Sequence, residues 1–369
     1  MNVPKLRFKE FNDEYKSIKL NDVSEIYDGT HETPTYVEKG VKFVSVENIS
    51  NLLDTTKYIP ESDYNKYKIK PKYNDVFMTR IGDIGTSSIY KSDEKLAYYV
   101  SLALLRTKDN HILIPDYLNQ YIKNNSFQKE LYNRTIHVAF PKKINTGEIG
   151  ECSINLCSDK EQLKVSNFLS LLDKKIELQS KKIEDLKLFK LSKYSLFFSN
   201  SNNKIKLSDI CIIEKGKQIN SDLLIEKGNY YMLNGGILPS GYLNEYNTNE
   251  NTITISEGGN SCGYVNFNKT KFWCGGHCYK IISSSVNSSY LYHLLKHNEK
   301  IIMDLRVGSG LPNIQKKDLE ALKLSIHKND EQLKIGILFD TFDKKINLET
   351  NKLNKFKELK KALMQVMFV

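Results

Sequence analysis

A run of about forty residues occurs twice in this chain, and that duplication constrains the fold more than any other feature. From Asp159 it reads DKEQLKVSNFLSLLDKKIELQSKKIEDLKLFKLSKYSLFF, and from Asn329 NDEQLKIGILFDTFDKKINLETNKLNKFKELKKALMQVMF. With Glu161 set on Glu331, an offset of 170 also pairs Gln162/Gln332, Leu163/Leu333, Asp173/Asp343, Lys174/Lys344, Lys175/Lys345, Ile176/Ile346 and Lys182/Lys352. Neither copy holds proline, and only Gly336 interrupts a composition rich in Leu, Lys, Glu and Ile, which is a helix-forming mixture. Each run therefore predicts a rod on the order of 60 Å long. Leu172, Ile176, Ile183 and Leu186 correspond to Phe342, Ile346, Leu353 and Phe356, one apolar stripe per rod, as a coiled-coil seam requires. The layer that breaks the stripe is polar in both, at Gln179 and Glu349. Two rods with a shared frame and one stripe each are most simply buried against each other. The other arrangement packs each helix separately on its own domain.

The length of 369 residues allows two or three domains, and 40% hydrophobic with 27% charged residues describes a chain able to bury real cores. No stretch of about 18 apolar residues is present, and the opening MNVPKLRFKEF carries no hydrophobic signal region, so no membrane association is expected. Six cysteines (Cys152, Cys157, Cys211, Cys262, Cys274, Cys278) lack paired CxxC spacing, and reduced thiols in a cytoplasmic protein are the expectation. A net charge of +10 suits a polyanionic partner, but the charge is scattered and supports nucleic acid only weakly.

The remainder of the chain is also duplicated. After residues 1–15, which read as a leader, KSIKLNDVSEIYDGTH (Lys16–His31) parallels KIKLSDICIIEKGKQI (Lys204–Ile219), with Gly29 matching Gly216. VKFVSVENI (Val41–Ile49) and NYYML (Asn229–Leu233) read as β segments. DVFMTRIGDIG (Asp75–Gly85) and TITISEGGNSCG (Thr252–Gly263) are alternating strands running into glycine-rich turns. AYYVSLALLRT (Ala97–Thr107) and FWCGGHCYKII (Phe272–Ile282) follow as strands. Helical stretches then begin at Asp116 and Ser289, and short strands CSINL and LKLSI precede each rod. The plan is domain, rod, domain, rod, with boundaries at 1–157, 158–200, 201–328 and 329–369. Globular parts that have diverged on a shared scaffold point to two different ligands of one general kind.

The tandem plan, the EQLK…DKKI segment, the KL-x-D domain opening and the GSGLPNIQKKDLEALKL stretch (Gly308–Leu324) together resemble the specificity subunits of Type I DNA restriction–modification systems. The resemblance covers essentially the whole chain. It departs at the first exit, HVAFPKKINTGEIG, where the second copy reads VGSGLPNIQKKDLE with one residue fewer. It implies an α+β fold: two mixed α/β target recognition domains, joined by two long helices as an antiparallel coiled coil with a pseudo-twofold axis. Each domain (about 16–157 and 204–328) would read one half of a bipartite target on double-stranded DNA. The helices would set the half-site spacing and dock two methyltransferase subunits, with two restriction subunits able to join. AdoMet, ATP and Mg²⁺ would belong to those partners, and this chain would hold no cofactor and no catalytic group.

The residues agree with a non-catalytic role. No NPPY- or DPPY-like motif occurs, and Gly216–Lys217 lacks the upstream glycine of a phosphate loop. His293 and His297 have zinc-ligand spacing but read better as a solvated helix face; Cys274, His277 and Cys278 read better as a half-buried strand than as a metal site. Base reading needs Arg, Asn or Gln forks, with Lys on phosphates. On that basis the candidate DNA contacts in the first domain are Thr30 and His31 in the loop Gly29–Thr35, Lys42, Ser45, Asn48, Arg80 and Asp83. In the second they are Lys217, Gln218, Asn220, Asn234, Asn260 and Lys271. Arg134 and Arg306 recur before each exit turn and read as phosphate or structural residues, and Trp273 as core. An adaptor holding two modules for protein or RNA partners is the alternative class.

Overall fold

The computed structural model describes residues 3–199, 204–308 and 310–369. The expected boundary at 200/201 and Ser309 of the Gly308–Leu324 stretch lie outside the described residues. The chain forms two units, Met1–Gln179 with Lys352–Val369, and Ser180–Asn351.

In the first unit, β2 (Ser24–Asp28), β8 (Leu102–Thr107), β5 (Val76–Thr79) and β6 (Ser87–Ile89) form an antiparallel sheet in that spatial order. A second sheet runs β4 (Tyr58–Ile59), β3 (Val41–Val44), β7 (Leu96–Tyr98), with β3 and β7 parallel. A two-stranded ladder joins β1 (Lys16–Lys19) to β9 (Ser153–Leu156) and closes the unit. The residues of β5 are all buried, because one face meets the helix Pro115–Ile122 and the other meets Tyr90 and Tyr98. The helical stretch expected from Asp116 is divided. Asn124 caps a new helix, Asn125–Arg134, by accepting the Phe127 N–H at 2.9 Å.

The second unit repeats this plan strand for strand. Its four-stranded sheet runs β11 (Cys211–Lys215), β17 (Cys278–Ser284), β14 (Thr252–Ser256), β15 (Val265–Asn268). Its three-stranded sheet runs β13 (Gly241–Leu243), β12 (Tyr230–Leu233), β16 (Trp273–Cys274), and β10 (Lys204–Lys206) pairs with β18 (Lys323–Ser325). The second helical stretch is likewise divided, into Ser288–His297 and Glu299–Asp304.

The duplicated runs are continuous helices, Asp159–Phe198 and Asn329–Met367. Within the first unit Lys360 bonds Asp173 at 2.5 Å and the Lys175 ammonium lies 4.8 Å from the Phe356 ring centre. Within the second, Lys182 bonds Glu349 at 2.5 Å and Phe189 meets Phe342 edge-on at 5.6 Å. In each unit, then, the two helical segments run antiparallel. The predicted stripe is their covered side: Ile183 is buried, and Leu172, Ile176, Leu186, Phe342, Ile346, Leu353 and Phe356 are half-buried.

The far end of each helix enters a core. Met364 and Met367, with Phe368 just beyond the helix, join Tyr117 and Tyr121 in the first unit, while Tyr194 and Phe198 join Tyr290 and Ile255 in the second, beside Phe339 from the first turns of the other helix. The repeated glutamine has a structural cause. Gln162 is fully buried, donates to the carbonyls of Ile112 and Cys157 at 2.8 and 2.9 Å, and accepts the Ile114 N–H at 2.9 Å. Gln332 donates to His327 O at 3.0 Å and to Asn329 Oδ1 at 3.2 Å, and accepts the Asn287 N–H at 3.4 Å. Each pins the start of its helix to its domain. The stretch expected as a leader is part of the first unit: Arg7 makes a bidentate pair with buried Glu161, both bonds 2.8 Å, and Tyr15 donates to the same carboxylate at 3.0 Å.

No helix among the described residues is long and apolar enough to cross a membrane.

Candidate nucleic-acid interface

Strand pairing gathers the candidate loops at one end of each four-stranded sheet. Asp28, the last residue of β2, sits opposite Ala103, and Thr79, the last of β5, opposite Leu102 at the start of β8. The loop after β2, the turn after β5 and the link before β8 therefore emerge together. The exit loop joins them, since Gly82 N–H donates to Lys142 O at 2.8 Å and Ile144 N–H to Arg80 O at 3.0 Å. The second unit does the same: Gly259 N–H donates to Pro312 O at 3.0 Å and Ile314 N–H to Glu257 O at 2.9 Å. Gly29 and Gly216 allow the approach. A Cβ on Gly29 would lie 2.5 Å from the carbonyl oxygens of Tyr98 and Tyr99, and one on Gly216 2.2 Å from Gly275 O.

Three shallow hollows mark these faces. In the second unit one of about 440 Å³ is lined by Gln218, Asn220 and Asn234 with Ser221 and Ser240, so three predicted residues come together. In the first unit Thr30 lines a hollow of about 220 Å³ with Lys66, Tyr67 and Lys68, and Asp83 lines another of that size with His137 and Lys142. His31, Asp83, Lys217, Gln218, Asn220, Asn260 and Arg306 are exposed.

Other predicted contacts are occupied within the fold. Arg80 is buried; its Nη1 binds Asp28 at 2.7 Å and Val100 O at 3.2 Å, and its Nε binds Ile144 O at 3.0 Å, so its fork is not offered to a base. Asn48 accepts the Ser45 N–H at 3.1 Å and donates to Asp54 O at 2.8 Å, which uses both residues in a local turn. Asn234 accepts the His277 N–H at 3.1 Å, which limits its amide to the Nδ2 side. Arg134 pairs with Glu148 at 3.1 Å and Glu130 at 3.4 Å, the structural of its two readings. Lys42 pairs with Glu94 at 2.9 Å, and Lys271 donates to the Tyr246 hydroxyl at 3.0 Å.

Sequence reasoning missed Lys66, Lys68, His137, Lys142 and Lys143, which are exposed around the same loops. The Pro-Lys-Lys of the exit was the available signal, hidden by the one-residue difference between the copies. The exit tips also carry fully exposed apolar groups, Val138 and Phe140 in one unit and Leu311 in the other.

The remaining candidates resolve as packing. His293 is not on a solvated face: it is fully buried, its Nδ1 accepting from the Tyr194 hydroxyl at 2.8 Å and its Nε2 facing Asp340 at 3.1 Å. Burial lowers its pKa. Cys274 and Cys278 are buried while His277 is exposed, and Trp273 is core, its indole N–H donating to Lys217 O at 2.9 Å. Burial pushes the Cys152, Cys157 and Cys211 thiols up to about 12, so they stay protonated near neutral pH. Among the described residues no group of three or more His, Cys, Asp or Glu is placed to hold a metal.

Two like-folded modules, each with a polar loop face at one sheet end and each tied into a pair of antiparallel helical segments, define a tandem two-module protein. The family profile described as the type I restriction modification DNA specificity domain matches residues 12–188 and again 200–358, and the chain belongs to that family. A Mycoplasma pneumoniae protein named as a type I specificity subunit is 35% identical over 153 residues, 40% of this chain and 40% of its own length. One from Mycoplasma genitalium is 31% identical over 138 residues, 36% of each. The matched stretches thus span well under half the length of these two relatives. A Methanocaldococcus jannaschii protein named as the specificity subunit of a type I restriction enzyme is 23% identical over 419 residues, 99% of this chain and 95% of that one. The fold is shared with the crystal structure of the S subunit of a type I restriction-modification system from M. genitalium (TM-score 0.69, 19% identity, 100% of this chain and 99% of that one).

Proposed function

We propose that this chain is the DNA-specificity subunit of a type I restriction–modification complex. The observation that carries the reading is the duplicated loop face, repeated strand for strand on two modules that both match the specificity-domain profile. Each module reads one half of a bipartite site on double-stranded DNA. Half-buried Thr30 and the exposed set of His31, Asp83, Lys217, Gln218, Asn220 and Asn260 supply base or phosphate contacts, with Lys66, Lys68, Lys142, Lys143 and Arg306 holding phosphates. A different loop chemistry on each face, lysine-rich in the first and amide-rich in the second, fits two unlike half-sites. The two long helices set the half-site spacing and dock two methyltransferase subunits, to which two restriction subunits can add. AdoMet, ATP and Mg²⁺ act on those partners, this chain is non-catalytic, and the complex works in the cytoplasm. The functional segments are 1–157 and 201–328 for recognition and 158–200 and 329–369 for spacing.

The test is methylome sequencing of a cell carrying this chain with its modification partner and no other methyltransferase. One bipartite motif of fixed spacing is expected. An assembled complex that leaves DNA unmethylated and does not bind duplex would instead favour the two-module adaptor.

A further inference from the structure

One ion pair occupies the same place in both units with its signs exchanged. In the first, the acid is on the first strand: Asp28 ends β2, and Arg80 is the first residue beyond β5, joined at 2.7 Å. In the second, the base is on the first strand: Lys215 ends β11, and Glu257 is the first residue beyond β14, joined at 2.5 Å. The positions are equivalent by register. Both pairs straddle the start of the strand between them, β8 or β17, and Arg80 and Glu257 both take the exit-loop N–H, of Ile144 or Ile314, on their own carbonyl. The two copies thus share the attraction while both charges are exchanged, so what they have in common at this place is the pair rather than either residue.

The pair sits where four segments converge. Asp28 or Lys215 adjoins the glycine whose missing Cβ lets the recognition loop cross the link between strands. Arg80 also ties that link through Val100 O and the exit loop through Ile144 O. Glu257 fixes the same surroundings by other bonds: its N–H donates to His277 O at 2.9 Å, and its carboxylate accepts from the Tyr279 hydroxyl at 3.3 Å. Arg80 is buried and Glu257 is 13% exposed, so releasing either pair leaves a charge largely out of water, which makes each a stiff tie.

We infer that Asp28–Arg80 and Lys215–Glu257 are sign-exchanged clamps that position the recognition loops of their own half-site, without touching the bases. The inference rests on the DNA-reading role proposed above.

The experiment uses the assembled complex with its methyltransferase and reads the methylated motif by sequencing, with complex assembly and thermal melting as controls on folding. Arg80→Glu is expected to relax base preference in one half-site by roughly tenfold, the size of one charged hydrogen bond, and to leave the other half-site unchanged. Asp28→Lys with Arg80→Glu, which installs the sign order of the second unit, restores part of the lost preference, since a glutamate remakes the ion pair but cannot donate to the Val100 and Ile144 carbonyls. Where Arg80→Glu lowers the folded fraction, Lys215→Met carries the test, because Lys215 is the half-exposed partner; it is expected to relax only the other half-site. An unchanged motif in a folded Arg80→Glu or Lys215→Met complex overturns the clamp, as does relaxation of both half-sites together. A wild-type complex with no bipartite motif overturns the DNA reading itself and is thereby distinguished from failure of the clamp.

Discussion

Gln162→Ala tests why the rods remained alike while the domains diverged. The substitution removes three bonds of 2.8–2.9 Å from a side chain with no solvent exposure, leaving the Ile112 and Cys157 carbonyls and the Ile114 N–H short of a partner. A buried group left unpaired costs about 1–3 kcal/mol, and a small cavity adds to it, so the loss should be on the order of 3–5 kcal/mol. Gln332→Ala should cost less, on the order of 1–2 kcal/mol, since its bonds run 3.0–3.4 Å and two of its partners, Asn329 and Asn287, are exposed enough for water to replace it. The assay is equilibrium unfolding in urea. At an m-value of about 2–3 kcal/mol/M, Gln162→Ala should lower the midpoint by about 1 M or more. Circular dichroism follows both units, while the single tryptophan, Trp273, reports the second alone. A Gln162→Ala protein within about 1 kcal/mol of wild type, or one less destabilised than Gln332→Ala, would refute the reasoning.

Three further outcomes are expected. Removing seven residues from one rod alone, for example from 176–182, should abolish assembly or shift the half-site spacing, because heptad register links the paired helices; unchanged spacing in the methylome would show that the rods are not the ruler. Replacing residues 1–157 with the equivalent part of a relative should change one half of the methylated motif, and a change in both halves would defeat the modular reading. Burial holds the His293 pKa below its ordinary 6.5, so below that pH the unfolded chain takes up a proton the folded chain resists. The contribution of neutral His293 is thus complete above about pH 6.5 and is lost on acidification, by up to about 1.4 kcal/mol per pH unit. His293→Gln should flatten that slope in the Trp273 transition; an equal slope in both proteins would exclude His293 as its source.

The candidate face was legible in part. Gly29 and Gly216 could be matched because each follows a strand of the same pattern, and the loops they open do lie on the face. Gln218, Asn220 and Asn234 were read as candidate contacts, although sequence could not show that they line one hollow. Arg80 was read as a contact for a reason the sequence could not correct, whereas Asn48 is used by near neighbours in its own turn and Arg134 takes the structural of its two readings. Arg80 was read by the chemistry of its own side chain, and its partners are set elsewhere: it meets Asp28 and Ile144, which are 52 and 64 positions away. His293 failed similarly, since its partners Tyr194 and Asp340 come from the two rods rather than from its own helix.

The sequence by itself determined the helices, the duplicated strand order and the stripe that pairs the rods. Those are local periodicities, and helix and strand geometry convert them into faces without knowledge of the remainder of the chain. Tertiary structure alone decided which polar residues remain available for a ligand. Availability depends on whether a distant chain segment arrives with an opposite charge or an unpaired carbonyl, and strand register settles that across the sheet, beyond the reach of any local pattern.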